Sequence, residues 1–189
     1  MNISIPATIL DALTHIAAKK DIQHYLNGIH VKDGVAVATD GHALLKIESD
    51  EIQVETGGFQ GDIILPIDSV KDAVKAAKGR KQTALVFRSM DSERRLESNV
   101  DTLMVLIEGC YPEYQRILID PEGVTNEPGQ FDPEILLRFK KADKALQPKR
   151  KGHKGGFYVG HNGNRGAYVE LDASGEDIQA TGVVMPWRM

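Results

Sequence analysis

The sequence lacks the features that define several classes of protein. It has a single cysteine, Cys110, which excludes an intrachain disulfide and a zinc cluster built from cysteines alone. No apolar run reaches the roughly 20 residues of a membrane helix, and the first residues lack the basic start and apolar block of a signal peptide. We therefore expect a cytoplasmic protein with no membrane partner, in which Cys110 is buried or half-buried.

Metal-binding and catalytic patterns are also missing. The histidines are scattered without close metal-ligand spacing, so we expect neither a metal nor a cofactor. No nucleophile with a supporting base stands out. Asp40, His42 and His161 would be the candidates for acid–base chemistry, and an enzyme is therefore one alternative. However, the pair Asp40-Gly41 is explained as a turn, and we expect no catalytic residue.

Basic residues are outnumbered by acidic residues overall, 23 against 27, but are concentrated locally. The 189 residues carry a net charge of −4, and 41% are hydrophobic, as in ordinary soluble domains. Residues 138–154 carry eight basic residues against one acidic residue, Asp143, which is a local net charge of +7. This asymmetry favours one basic surface that faces a polyanion, although a solvated lysine-rich loop would give the same pattern.

Three passages of the chain follow one plan, in which a proline precedes an amphipathic helix and two or three strands follow. The prolines are Pro6, Pro66 and Pro133. Apolar residues at helical spacing predict helices over roughly 7–20, over 68–78 and from 133 onward. We expect Asp68 or Ser69 to cap the second helix and Gly79 to end it.

Strands with short turns account for the rest of each passage. They are predicted near 28–32, 35–39, 42–48, 83–89, 94–99, 102–108, 156–161, 166–171 and 178–185. Turn residues such as Asp33-Gly34, Asp40-Gly41 and Asn162-Gly163 lie between them and are typical of hairpins. The repeat predicts an α+β fold of antiparallel sheets with helices on one face.

The predicted helices are basic on the faces turned away from their apolar residues. Lys71, Lys75 and Lys78 share one face of the second helix, because their spacing is four and three residues. Lysines arranged in this way suit phosphate oxygens and carry no sequence information, although ordinary solvated helix faces would look alike. The residues predicted to face DNA are Lys19, Lys20, Lys71, Lys75, Lys78, Arg80, Lys81, Arg138, Lys141, Lys144, Lys149, Arg150 and Lys151.

Four short motifs resemble a known family when they are taken together. Residues 25–28 read YLNG, residues 37–44 read VATDGHAL, and residues 111–118 read YPEYQRIL. The last residues, 183–189, read VVMPWRM. In this order they resemble the bacterial DNA polymerase III beta subunit, the sliding clamp. The resemblance covers residues 1–118 as one clamp domain and residues 130–189 as the closing half of the family's last domain.

The resemblance implies the DNA clamp fold. In that family twelve helices line a ring around duplex DNA, with the sheets outside, and each domain contributes two helix-and-strands halves. We therefore expect residues 1–118 to form a two-module domain, 119–129 a linker and 130–189 a single half-module. Three halves in each chain predict a ring of four copies.

The resemblance also implies a hydrophobic cleft that receives short linear peptides from polymerases and other clients, and a clamp loader as a further partner. The matching positions here are Leu26, Thr39, Gly41, His42, Leu44, Pro112, Arg116, Ile117, Val183, Met185, Pro186 and Trp187. Ala43 and Trp187 replace the arginine and methionine of the family, so peptide preference is expected to differ. A clamp mimic that captures such peptides without encircling DNA is the other alternative.

Overall fold

Three helices and two antiparallel sheets make up the computed structural model, which describes residues 1–90, 93–147, 156–172 and 177–187. The helices are α1 (Ala7–Thr14), α2 (Ile67–Arg80) and α3 (Pro133–Leu146). The strands are β1 (Asn2–Pro6), β2 (Gly28–Lys32), β3 (Val35–Thr39), β4 (Ala43–Glu48), β5 (Gln53–Glu55), β6 (Ile63–Pro66), β7 (Ala84–Ser89), β8 (Arg95–Ser98), β9 (Leu103–Val105), β10 (Phe157–Gly160), β11 (Ala167–Leu171) and β12 (Gln179–Val184). Within these residues, none of the helices is both long and apolar enough to cross a membrane.

The strand order joins the three repeated passages. One sheet has the order β5-β1-β7-β8-β9, and the other has the order β10-β11-β12-β4-β3-β2-β6. The first two passages exchange their opening strands, because β1 pairs with β7 and β6 pairs with β2. The third passage joins the first through β12 and β4. The predicted strands and their antiparallel pairing are confirmed, whereas β5 was not predicted.

One apolar core lies between the helices and the inner faces of both sheets. Alternation in β4 turns Ala43, Leu45 and Ile47 inward, where they join Phe139 of α3 in the same buried cluster. Gly182 of β12 has no room for a side chain, since an added Cβ would lie 2.3 Å from the Leu44 carbonyl oxygen. Close packing therefore fixes the β4–β12 junction.

The first helix is shorter than its sequence pattern indicates. It ends at Thr14, so Lys19 and Lys20 lie on the following turns and not on the helix. Ile16 and Ala17 continue the apolar spacing because they are buried in the turn, not because the helix continues. The Ala18 N–H donates to the Leu26 carbonyl oxygen at 3.2 Å, which diverts the chain from the helical path.

The second helix begins and ends differently from the prediction. It starts at Ile67, directly after Pro66, and no side chain caps it. Asp68 instead lies in the first turn, where a carboxylate interacts favourably with the helix dipole. The helix continues through Gly79 to Arg80, and Lys81 adopts the left-handed conformation with a φ of +57°. The predicted ends, Asp68 or Ser69 and Gly79, are therefore wrong by two or three residues.

The predicted turns are confirmed in position. Asp33 and Gly34 connect β2 to β3 as a two-residue hairpin, since Lys32 pairs with Val35. Gly34 has a φ of +74°, which favours glycine. In the β10–β11 connection the Arg165 N–H donates to the Asn162 carbonyl oxygen at 3.1 Å. Cys110 is exposed, which corrects the expectation that it is buried or half-buried.

Candidate functional site

The turn between β3 and β4 is held by its own side chains. Thr39 Oγ1 donates to the Ala43 carbonyl oxygen at 2.8 Å and accepts from the Gly41 N–H at 3.1 Å. Asp40 Oδ1 accepts from the N–H groups of His42 and Ala43 at 3.0 and 2.8 Å. Gly41 has a φ of +84°, in the region that favours glycine. These bonds fix the backbone of the turn and leave the His42 side chain exposed.

Arg138 connects α3 to this turn and to the end of α1. Its Nη1 donates to Asp40 Oδ2 at 2.5 Å, and its Nε donates to the His15 carbonyl oxygen at 2.8 Å. Its Nη2 donates to the Ile16 carbonyl oxygen. The guanidinium therefore satisfies carbonyl groups at the end of α1 and neutralises a half-buried carboxylate. Arg138, which was predicted to face DNA, thus uses its donors inside the protein.

The residues after β12 complete a groove at the rim of the seven-stranded sheet. The Met185 N–H donates to the His42 carbonyl oxygen at 2.8 Å, and the Trp187 N–H donates to the Gln130 carbonyl oxygen at 2.7 Å. These bonds hold the C-terminal residues between the β3–β4 turn and the start of α3. We call this space, of about 530 Å³, the rim groove. Its lining comprises Gly41, His42, Asp132, Ile135, Met185, Pro186 and Trp187.

The rim groove brings together predicted cleft residues from the two ends of the chain. Gly41 and His42 come from the first passage, and Met185, Pro186 and Trp187 come from the last. Trp187 is 60% exposed, whereas Met185 is half-buried and Pro186 is buried. An exposed indole beside a half-buried thioether provides the apolar surface that a peptide side chain needs.

Other predicted cleft residues form the floor beneath this surface. Leu44 lies opposite Val183 in the β4–β12 register, and both are buried on the outer face of the sheet. They pack in one cluster with Tyr111 and Tyr114, and Met185 packs against the cluster. Thr39 is buried and stabilises the turn, as described above. These residues therefore support the groove through packing and do not line it.

The remaining predicted cleft residues lie away from the rim groove lining. Leu26 is buried in a short 3₁₀ turn, His24–Asn27. Pro112, Arg116 and Ile117 are exposed on the segment that covers the outer face. Arg116 forms an ion pair with Glu113 at 2.6 Å, which is solvent-exposed and contributes little to stability.

The sequence did not predict a second set of contacts on the outer face. His30 stacks on Tyr111 with ring centroids 4.9 Å apart, and its Nε2 lies 3.7 Å from Asp62 Oδ1. Asp62 Oδ2 accepts from the Tyr111 N–H at 2.7 Å. Burial lowers the pKa of His30, while the Asp62 carboxylate opposes that change. Burial raises the pKa of Tyr111. These contacts hold the segment around Tyr111 to the sheet. The sequence signal that could have predicted them is the outward position of His30 in β2.

The inner side of the molecule carries a second groove, between the three helices. It has a volume of about 800 Å³, and we call it the helix groove. Its lining comprises Pro6, Ala7, Thr8, Asp11, His15, Glu51, Lys78, Lys81, Gln82, Thr83, Lys141, Lys144 and Ala145. Four of the residues predicted to face DNA are exposed here. Lys78 lies in α2, Lys81 directly follows α2, and Lys141 and Lys144 lie in α3.

The other predicted DNA-facing residues have varied positions. Lys19 lies with Arg138 and Lys141 around a smaller hollow beside the helix groove. Lys20 is exposed, Lys75 is exposed on α2, and Lys71 on the same helix is half-buried. Lys149, Arg150 and Lys151 lie outside the described residues.

Several of the basic residues predicted to face DNA form ion pairs with acidic residues, which the sequence did not predict. Lys78 Nζ lies 2.7 Å from Asp11 Oδ2, and Arg80 Nη2 lies 2.7 Å from Asp101 Oδ2. Lys71 Nζ lies 4.0 Å from Asp68 Oδ1. Burial lowers the pKa of His15, Asp11 opposes this shift, and the nearby lysines reinforce it. The helix groove is therefore basic but partly neutralised, which tempers the predicted positive potential.

Comparisons with known proteins agree with this geometry. The chain is 27% identical over 139 residues to a beta sliding clamp of Vibrio cholerae, a match that covers 71% of this chain and 37% of that protein. A sliding clamp structure from Pseudomonas aeruginosa superposes on the whole chain with a TM-score of 0.67 at 18% identity. A clamp from Bartonella birtlesii bound to griselimycin gives a TM-score of 0.67 at 16% identity. No family model matches the chain.

The chain has the DNA clamp fold. All of this chain aligns with the two solved clamps, and it covers 67% and 66% of their lengths. The match spans 37% of the length of the curated clamp that the chain resembles. The clamp fold predicted from the motifs is confirmed.

Proposed function

We propose that this chain is a subunit of a sliding clamp, a non-catalytic ring that encircles duplex DNA and holds client proteins through short peptides. The observation that carries the proposal is the rim groove. Two of its sides come from residues 41–42 and 185–187, which belong to the second and fourth motifs and lie far apart in sequence. They are joined by the bond between the Met185 N–H and the His42 carbonyl oxygen. A groove assembled from both motifs supports a retained peptide site.

The position of Asp40 supports a non-catalytic role. Its carboxylate accepts from two backbone N–H groups and from Arg138, so its function in the fold is accounted for. His42 beside it presents an exposed ring at the rim groove and serves there as a polar contact for a peptide. The peptide would place an apolar side chain against Met185 and Trp187.

The helix groove supports the DNA-binding part of the proposal. Lysines on neighbouring helices point to one side of the molecule, opposite the outer faces of the sheets, and bind phosphates without reading sequence. Three helices in each chain would give twelve in a ring of four copies, as the resemblance implies. In this proposal residues 1–118 supply two modules, 130–189 supply one, and the ring works in the cytoplasm, with a clamp loader as a further partner.

Light scattering combined with a DNA retention assay tests this function. We expect a particle of four chains, each of 20.8 kDa, that stays on nicked circular duplex DNA and slides off after the circle is cut. Retention on both circular and linear DNA would indicate ordinary surface binding and contradict a topological link. A stable monomer that binds clamp-binding peptides without DNA retention would instead establish the clamp mimic.

A further inference from the structure

Two kinds of strand junction connect the repeated units. In the first kind two units exchange opening strands, as β1 does with β7 and β6 with β2. In the second kind the third strand after the helix of one unit pairs antiparallel with the third strand after the helix of another, as β4 does with β12 over six residue pairs. Since β9 is the third strand after α2, the same rule assigns it the corresponding strand of another unit as its neighbour.

In the part of the chain that the structure describes, β9 ends its sheet without such a neighbour. The Leu106 N–H donates to Arg94 and the Thr102 carbonyl accepts from Ser98, so even-numbered residues of this strand bond inward to β8. The N–H and C=O groups of Leu103 and Val105 therefore point to the open side, because bonding direction alternates along an antiparallel strand. Beyond β9, the Ile107 N–H donates to the Ile64 carbonyl oxygen and limits the open edge to residues 103–105.

The side chains on this edge are apolar and exposed. Leu103 is 56% exposed and Val105 is 57% exposed, while Met104 between them is buried. Natural edge strands are protected from pairing by lysine, proline or a bulge, and the three residues of β9 include neither lysine nor proline. An open apolar edge with unused backbone groups is a template for another strand.

We propose that β9 pairs antiparallel with β9 of a second copy, with Leu103 of each chain opposite Val105 of the other. This register uses all four outward backbone groups on each side and makes four hydrogen bonds around a two-fold axis at Met104. The apolar side chains of Leu103 and Val105 then face each other across the strands, where such pairs stabilise a sheet.

The flank of α2 fits the same junction. Across the β4–β12 junction, α1 and α3 lie side by side, and a β9–β9 junction places two α2 helices in the same relation. Lys78 of α2 contacts Asp11 of α1, so residues about half a turn away face the second copy. Those residues include Ser69 and Ala76, which are small and half-buried and permit close approach of two helices at their positions. Arg80 lies on the same side at the end of α2, where it is exposed and paired with Asp101.

This junction would determine how a ring is built, a consequence that rests on the proposed function. The two-fold axis of an antiparallel pair is normal to the sheet, so it exchanges the upper and lower rims of adjacent chains. Each chain offers the ring two ends, β9 and β10. If β9 always pairs with β9, the remaining β10 ends must pair with each other. The junctions then alternate around the ring, so the ring contains an even number of chains. Rim grooves would then open on both faces of the ring, and clients could be held on either side.

Cysteine cross-linking tests the register. Chains carrying Leu103→Cys are mixed with chains carrying Val105→Cys, each with Cys110→Ser, and are oxidised. The Cα atoms of hydrogen-bonded opposite residues are about 5.5 Å apart, within the range of a disulfide. We expect a doubled mass on a non-reducing gel mainly in the mixture, since neither variant alone places its cysteines opposite each other. Val105→Lys should remove the β9 junction and reduce a four-chain particle to two chains, without unfolding this exposed position.

Different results would overturn the β9 junction or the proposed function. A cross-link from Leu103→Cys to Tyr158→Cys on β10 would show head-to-tail association, and a monomer without cross-links would exclude the β9 junction. Loss of the mixed cross-link together with retention of a four-chain particle on circular DNA refutes this junction alone. A β9 cross-link without retention on circular DNA refutes the proposed function and leaves the junction intact.

Discussion

The rim groove and the helix groove differ in how their residues are held. The rim groove depends on contacts between distant parts of the chain, such as Arg138 with Asp40 and Met185 with His42. The helix groove displays exposed lysines on helices whose buried faces are independent of them. Substitutions at the rim groove are therefore expected to alter the stability of the fold, whereas substitutions at the helix groove are expected to alter mainly its charge.

The largest effect on stability is expected from replacing Arg138, which supports the rim groove. Replacing it with methionine leaves the Asp40 carboxylate and two carbonyl groups without their donor, so we expect the free energy of unfolding to fall by about 2–3 kcal/mol. Lys141→Met, on the exposed face of the same helix, should change it by less than about 0.5 kcal/mol. Urea denaturation of both variants measures the difference. Equal changes would show that the two grooves are held alike.

Sequence reasoning predicted the repeated parts of the molecule well, for a physical reason. Helix spacing, strand alternation and hairpin turns are local patterns, and Asp33-Gly34 connects β2 and β3 as expected. The end of α1 was wrong because Ala18 pairs with Leu26, which a local pattern does not reveal. The structural use of Arg138 and the neutralisation of Lys78 by Asp11 were missed for the same reason, since each joins two elements far apart in sequence.

An intermediate effect is expected from pH, and it bears on both regions. His30 lies on the outer face and His15 lines the helix groove, and burial is the main cause that lowers the pKa of each below the ordinary 6.5. The unfolded chain therefore binds protons more readily than the folded chain as the pH falls below 6.5. Stability should therefore decline as the pH falls through 6.5 toward the lower pKa values of the two folded histidines.

Single replacements of the two histidines divide this pH effect between the regions. Urea midpoints measured from neutral pH to about pH 5, before ordinary carboxylates titrate, should flatten in part with His30→Gln and in part with His15→Gln. A decline that both variants retain unchanged would show that neither buried imidazole causes it. A decline removed by His15→Gln alone would show that the helix groove, not the outer face, senses pH.

The smallest expected effect concerns one lysine of α2. Lys75 is exposed, so Lys75→Gln should change the free energy of unfolding by less than about 0.5 kcal/mol. If it contacts one phosphate, the slope of log affinity for duplex DNA against log salt should become shallower by about 0.9. The matched control is Lys32→Gln, on β2 in the outer sheet region, which should leave the slope unchanged. Equal changes in slope for both variants would show that DNA contacts the helix side and the sheet side alike, which would contradict a DNA-binding role specific to the helices.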